Sequence, residues 1–167
     1  MYIQESMAVC FLIYFLFHLQ DKQIISLAKE TLEISQNRLI QIKNFFQTEN
    51  FPVPVGYSEG DVNLAAPPLF HDTYALSFIY MMNRLSMINF SFTASNNVRL
   101  DVLDFFNECI HTSTEIFGKA VRMMLEKGIY DRPYPFLALS YDDYRGYAWV
   151  LWDFACYACA SCSLIKT

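Results

Sequence analysis

Glu108-Cys109-Ile110-His111 sets a carboxylate and an imidazole one helical turn apart, the spacing by which a helix holds iron or manganese. A carboxylate-bridged metal pair needs two such motifs, plus an inward glutamate from each of two further helices. The chain carries a single copy. At about 100° per residue, Glu108 and Glu115 fall nearly opposite an apolar stripe through Phe106, Ile110, Ser113 and Phe117, and His111 lies well off it. Those positions join Asp104, Lys119, Arg122 and Glu126 on a face that reads as solvated, where Glu115 and Lys119 are spaced to pair. Between Met7 and Leu19 there is no carboxylate, and Glu30 and Glu33 lie off the stripe of their own helix. A di-iron oxidase is therefore not expected, no cofactor is assigned, and no residue is named as catalytic.

Other chemistry-bearing residues are weaker still. Cys156, Cys159 and Cys162 follow the spacing of the first three ligands of a bacterial iron–sulfur run, but the fourth cysteine and its proline are missing. They are the sole metal candidates, against a packed or spurious tail. Ser35 and Ser113 interrupt apolar stripes and need buried partners; with Tyr14 they could line a small core cavity, or they could bond back to their own helices. His18 suits a satisfied histidine or a helix C-terminal cap. In His71-Asp72 the carboxylate suits the positive end of a helix dipole. No Gly-rich phosphate loop, Gly-x-Ser-x-Gly or His-Glu-x-x-His is present.

Four helical segments must position these residues. The first spans the apolar run Met7–Phe17 and looks short, at most ~19 residues. Asp21 is placed to cap a second helix with stripe Ile25, Ala28, Leu32, Ser35, Leu39, Ile42, Phe46. A third gives Tyr74, Phe78, Met81, Leu85, Ile88, Phe92, and a fourth Leu103, Phe106, Ile110, Ser113, Phe117, Ala120, Met124 before a stop at Gly128. Residues 50–68 form a loop far longer than a helical hairpin requires. Two tight turns around one long crossover predict an all-α, ferritin-like, up-down-down-up four-helix bundle at residues 1–133. Two hairpins exchanged between protomers would satisfy the same pattern.

Hydrophobic residues make up 54% of the 167 positions and charged residues 17%, a deficit that suggests surface hidden in an oligomer or a segment that is not natively folded. Between Thr73 and Val98 the sole charged residue is Arg84, which points to a homo-oligomer through helix three. Net charge is −5 without a basic run, so nucleic acid is not an expected partner. The eleven-residue run at Met7 is too short to span a bilayer. It lacks the basic flank and cleavage site of a signal peptide, so a cytoplasmic location with reduced thiols is expected.

Three segments carry a resemblance: Ser6-Met7-Ala8-Val9-Cys10; Glu49-Asn50-Phe51-Pro52-Val53-Pro54-Val55-Gly56 with Asp61-Val62-Asn63-Leu64; and Asp104–Cys109 with Lys127–Pro133. Over roughly residues 3–135 the chain resembles an uncharacterised "domain of unknown function" family of spore-forming bacilli. That resemblance implies a ferritin-like bundle, often in tandem copies, a spore-forming setting, and no established reaction. Beyond Tyr134 it stops, and residues 134–167 form an atypical Cys/Trp/Tyr-rich tail, read either as out-of-frame or truncated sequence or as a native fifth helix. The expected function is a non-enzymatic bundle acting by self-association or protein contacts, related to sporulation. The alternative is a small-molecule or metal-binding bundle using the core around Tyr14, Ser35 and Ser113.

Overall fold

A computed structural model describes residues 1–130. Cys156, Cys159, Cys162 and the tail at 134–167 lie outside the described residues. Within them are four helices, α1 (Tyr2–His18), α2 (Lys22–Thr48), α3 (Asp72–Ser95) and α4 (Leu100–Glu126), and one 3-10 turn at Glu59–Asp61. Asp21 caps α2 as its position predicts: its carboxylate accepts from the amides of Gln23 (2.9 Å) and Ile24 (3.3 Å). Two helices end on a left-handed residue. Asn50 (φ 55) follows α2 and Gly128 (φ 67) follows α4. In each case the next amide reaches back into the last turn, Phe51 N to Phe46 O and Ile129 N to Met124 O.

Side chains at the two ends of the bundle establish the direction of every helix. At one end the first residue of α3, Asp72, accepts from the amides of Gln20 (3.0 Å) and Asp21 (2.6 Å). Lys127, just past α4, donates to Asp21 at the same end (2.6 Å). At the opposite end Arg99, ahead of α4, pairs with Glu49, behind α2 (2.6 Å). The starts of α2 and α3 therefore lie beside the end of α4, and the order is up-down-down-up. Residues 50–71 must climb the full height of the bundle, the connection shared by ferritin-like folds.

The crossover climbs along α1. Tyr57 N donates to Ser6 Oγ (3.0 Å), Cys10 Sγ to Ser58 O (3.3 Å), and Tyr14 OH to Pro67 O (3.0 Å), while Leu69 N donates to Tyr14 OH (3.0 Å). Ser6, Cys10 and Tyr14 recur every four residues and so form one row along the helix. A second face of α1 supplies Ala8, Leu12 and Phe15 to the core. A third brings Phe11 against Phe78 of α3, with ring centroids 5.1 Å apart. Contact on three sides explains why α1 is apolar almost all round. Two of the segments that carry the family resemblance, around residues 6–10 and 49–64, meet here.

The buried faces of α2 and α3 depart from the expected stripes. On α2 the core face is Ile24, Leu27, Ala28, Thr31, Ser35, Arg38 and Ile42, and Ile25, Leu32 and Leu39 are half-buried flanks. On α3 it is Ala75, Leu76, Ile79, Asn83, Ser86 and Phe90. Most of the stripe read from sequence is the outer surface of α3: exposure runs from 47% at Tyr74 to 72% at Phe92, with Met81, Leu85 and Ile88 between. The stripe on α4 holds, with Phe106, Ser113, Ala120 and Met124 buried.

Candidate functional site

The core consists of two apolar clusters. One contains Leu12, Phe15, Leu27, Leu76, Ile79 and Ile116. The other contains Ile42, Phe90, Phe105, Phe106 and Cys109. Beside the second lies a polar layer centred on Arg38 of α2, which is 6% exposed, and Glu5 of α1, which is 4% exposed. Arg38 Nη1 donates to Glu5 Oε1 at 3.4 Å. Its Nη2 donates to three acceptors on α4: Cys109 O (3.0 Å), Thr112 Oγ1 (2.7 Å) and Ser113 Oγ (2.8 Å). The guanidinium also sits 5.0 Å from the ring centre of Phe90 on α3, within cation–π range. One residue of α2 thus touches the other three helices.

Burial drives the Glu5 carboxyl above its ordinary range, and the Arg38 charge and the Ser35 hydroxyl oppose this without overcoming it. Glu5 Oε2 and Arg38 Nε have no protein partner. A crevice of about 70 Å³ reaches Arg38 between α2 and α4, past Asn37, Gln41 and Thr112. That is room for water. The layer contains no activated nucleophile. Burial pushes the Cys109 thiol up to about 12, so it stays protonated, and Ser113 accepts from a cation instead of facing a base.

Of the cavity residues read from sequence, Ser35 and Ser113 flank the Glu5–Arg38 pair, whereas Tyr14 stands apart from them against the crossover. Glu108 and His111 lie on the solvent face, as their angular position predicts. Glu115 approaches His111 (3.8 Å), and Lys119 pairs with Glu30 of α2 in place of Glu115. His18 lies against Tyr14 with ring centroids 4.6 Å apart and planes tilted by 54°, and its buried Nε2 has no protein partner, so it is neither satisfied nor a cap through that atom. Asp72 ties α3 to the turn after α1, and His71 is exposed. Among the described residues no three His, Cys, Asp or Glu side chains converge as metal ligands. Glu5 and Arg38 were not legible as core residues, although Arg38 continues the Thr31, Ser35, Ile42 row at steps of three and four.

A second feature lies under the crossover. Between α1 and residues 57–70 is a cleft of about 470 Å³ whose walls include Met7, Phe11, Tyr14, Tyr57 and Phe70. The Ser58–Asp61 turn at its rim is held by a capping box, with Asp61 Oδ2 accepting from Ser58 N (2.7 Å) and Ser58 Oγ (3.0 Å).

No helix among the described residues is long and apolar enough to cross a membrane. Among curated proteins none matches the sequence. The fold is similar to the crystal structure of a candidate spore coat protein from Bacillus halodurans, at a TM-score of 0.67 and 19% identity over 79% of this chain and 88% of that one. The family model described as protein of unknown function, DUF3231, matches residues 1–138. The chain therefore belongs to the DUF3231 family, whose architecture is here a four-helix bundle braced by a buried arginine and strapped along α1.

Proposed function

We propose that this protein is a non-enzymatic packing unit that self-associates through the outer face of α3, in a spore-forming cell or its spore. The observation that carries this is the exposed apolar row Tyr74, Met81, Leu85, Ile88, Phe92. At 1.5 Å per residue it runs for about 27 Å, longer than the scattered apolar exposure of an ordinary monomer. Its partner is a second copy. A face almost free of charge offers nothing to select a charged partner, and laid against itself about a twofold axis it meets no like-charge repulsion beyond Arg84. The buried thiol at Cys109 and the inward-bonded Ser113 support a structural role over a catalytic one. Similarity in fold to a candidate spore coat protein supports the setting.

Sedimentation velocity on the full chain, with and without Leu85→Glu, tests this. The wild type should sediment as a dimer or larger species at micromolar concentration, and Leu85→Glu as a monomer of unchanged helicity. A wild type that stays monomeric at high concentration, or a Leu85→Glu variant that associates as before, overturns it.

A further inference from the structure

The cleft beneath the crossover has the chemistry of a ligand site; it adjoins the start of the α3 row, since its wall residue Phe70 stacks on Tyr74 at 4.4 Å, while Leu85 lies further along α3. Cys10 and Tyr14, which pin the strap to α1, are one helical turn apart, a rise of ~6 Å. Between the corresponding pins, Ser58 and Pro67, the strap spends nine residues, enough to reach about 30 Å when extended. The surplus forms an arch closed by its own bonds: the Ser58–Asp61 capping box, then Ala65 N to Asn63 Oδ1 and Ala66 N to Asn63 O. Compact, internally bonded arches of this kind commonly carry function.

Under the arch, about 470 Å³ falls in the range of small-molecule sites. The aromatic walls come from both sides, Phe11 and Tyr14 from α1 and Tyr57 and Phe70 from the strap. Phe70 meets Tyr14 edge to face at 6.4 Å. Asp61 is the charged residue of the lining; no Lys, Arg or His is among the lining residues. Both Ser58 bonds use Asp61 Oδ2, which leaves the other oxygen free of them. Burial first, and then the carboxylates of Asp61 and Glu59, push the Cys10 thiol above its ordinary range and keep it protonated. The negative field of those two side chains disfavours carboxylates and phosphates. Aromatic faces with one carboxylate are the recognition chemistry of organic cations.

We propose that the cleft between α1 and the crossover binds a small organic ammonium compound, its apolar body between the rings and its charge toward Asp61. Three probes of similar shape separate this from simple apolar filling: benzyltrimethylammonium, its neutral carbon isostere neopentylbenzene, and the anion phenylacetate. Binding to the full chain is read from the amide resonances of Val62 and Asn63. The cation should bind at least tenfold more tightly than either other probe. Asp61→Asn, which keeps an acceptor for Ser58, should weaken it about tenfold, as should Phe70→Leu. Added salt should weaken the cation alone, a readout that needs no variant. Equal binding of the neutral isostere, preference for phenylacetate, or no shift at Val62 and Asn63 with any probe overturns the proposal. Leu85→Glu should leave cation binding unchanged, so failure here is distinct from failure of the assembly reading.

Discussion

Replacing Arg38 with methionine tests whether the polar layer is held by its charge pair or merely tolerated. The substitution removes a cation that touches three other helices and leaves Glu5, 4% exposed, without a counter-charge. Breaking a buried pair on one side costs about 3–5 kcal/mol. The lower end applies here, because the Arg38–Glu5 contact is long at 3.4 Å and the Ser35 hydroxyl stays beside the carboxyl. A loss of about 3 kcal/mol corresponds to about 10 °C in Tm for a domain of this size. The pH dependence carries the stronger test. Burial already holds the folded-state pKa of Glu5 above its ordinary value of 4.5, and loss of the Arg38 charge raises it further. A carboxyl with a raised folded pKa stabilises fully below its unfolded pKa, and that contribution disappears as pH rises through the folded pKa. The deficit of Arg38→Met should therefore be smallest below pH 4.5 and grow as pH rises. Urea unfolding followed by far-UV circular dichroism, in acid and at neutral pH, measures it. The double variant Glu5→Leu with Arg38→Met should recover most of the loss, since apolar residues often replace a buried pair without penalty. A deficit that ignores pH, or a double variant as weak as the single one, refutes the reasoning.

Two further perturbations address the strap and the bundle end. A Cβ on Gly56 would lie 2.6 Å from Ser6 Oγ and 3.0 Å from Tyr2 Cε1. Gly56→Ala should therefore lift the strap, break the Tyr57–Ser6 bond and cost about 1–3 kcal/mol by urea unfolding, with part recovered by adding Ser6→Ala. Asp21→Ala should lower Tm by removing both the α2 cap and the partner of Lys127. The Lys127 ammonium and the α2 amides hold the Asp21 carboxyl below its ordinary range, so its stabilisation is present above pH 3.8 and lost as pH falls through the folded pKa. Calorimetric Tm curves of variant and wild type should converge in acid, and a constant gap would reject the linkage.

The architecture was legible because its signals are local. Asp21 and Gly128 mark helix ends by their own chemistry, and the length of the 50–68 loop dictates a crossover. The inner faces were harder to read. On α3 the most apolar path, Tyr74 to Phe92, points outward, because close packing on the inside uses Ala75, Ser86 and Asn83, which periodicity scores as weakly apolar or polar. A large residue on the outside outweighs a small one on the inside in any such pattern. Arg38 was hidden for a related reason. A charged residue in a long helix reads as solvent-facing unless its partner is known, and Glu5 lies thirty-three residues away. Tyr14 packs at the edge of the first core cluster while its hydroxyl bonds to another stretch of chain, an environment for which helical periodicity has no code.

The row of hydroxyl and thiol groups along α1 also imposes an order of assembly. Residues 50–71 can close their own local turns, but they have no row to be pinned to until α1 is helical, since Ser6, Cys10 and Tyr14 line up only then. At ~5–20 residues per second, synthesis of the crossover takes about 1–4 s, whereas helices form in microseconds. The α1–α2 hairpin can therefore form, with Leu12, Phe15 and Leu27 still uncovered, before α3 is available to cover them. The strap thus finds its place only after the helix to which it is pinned.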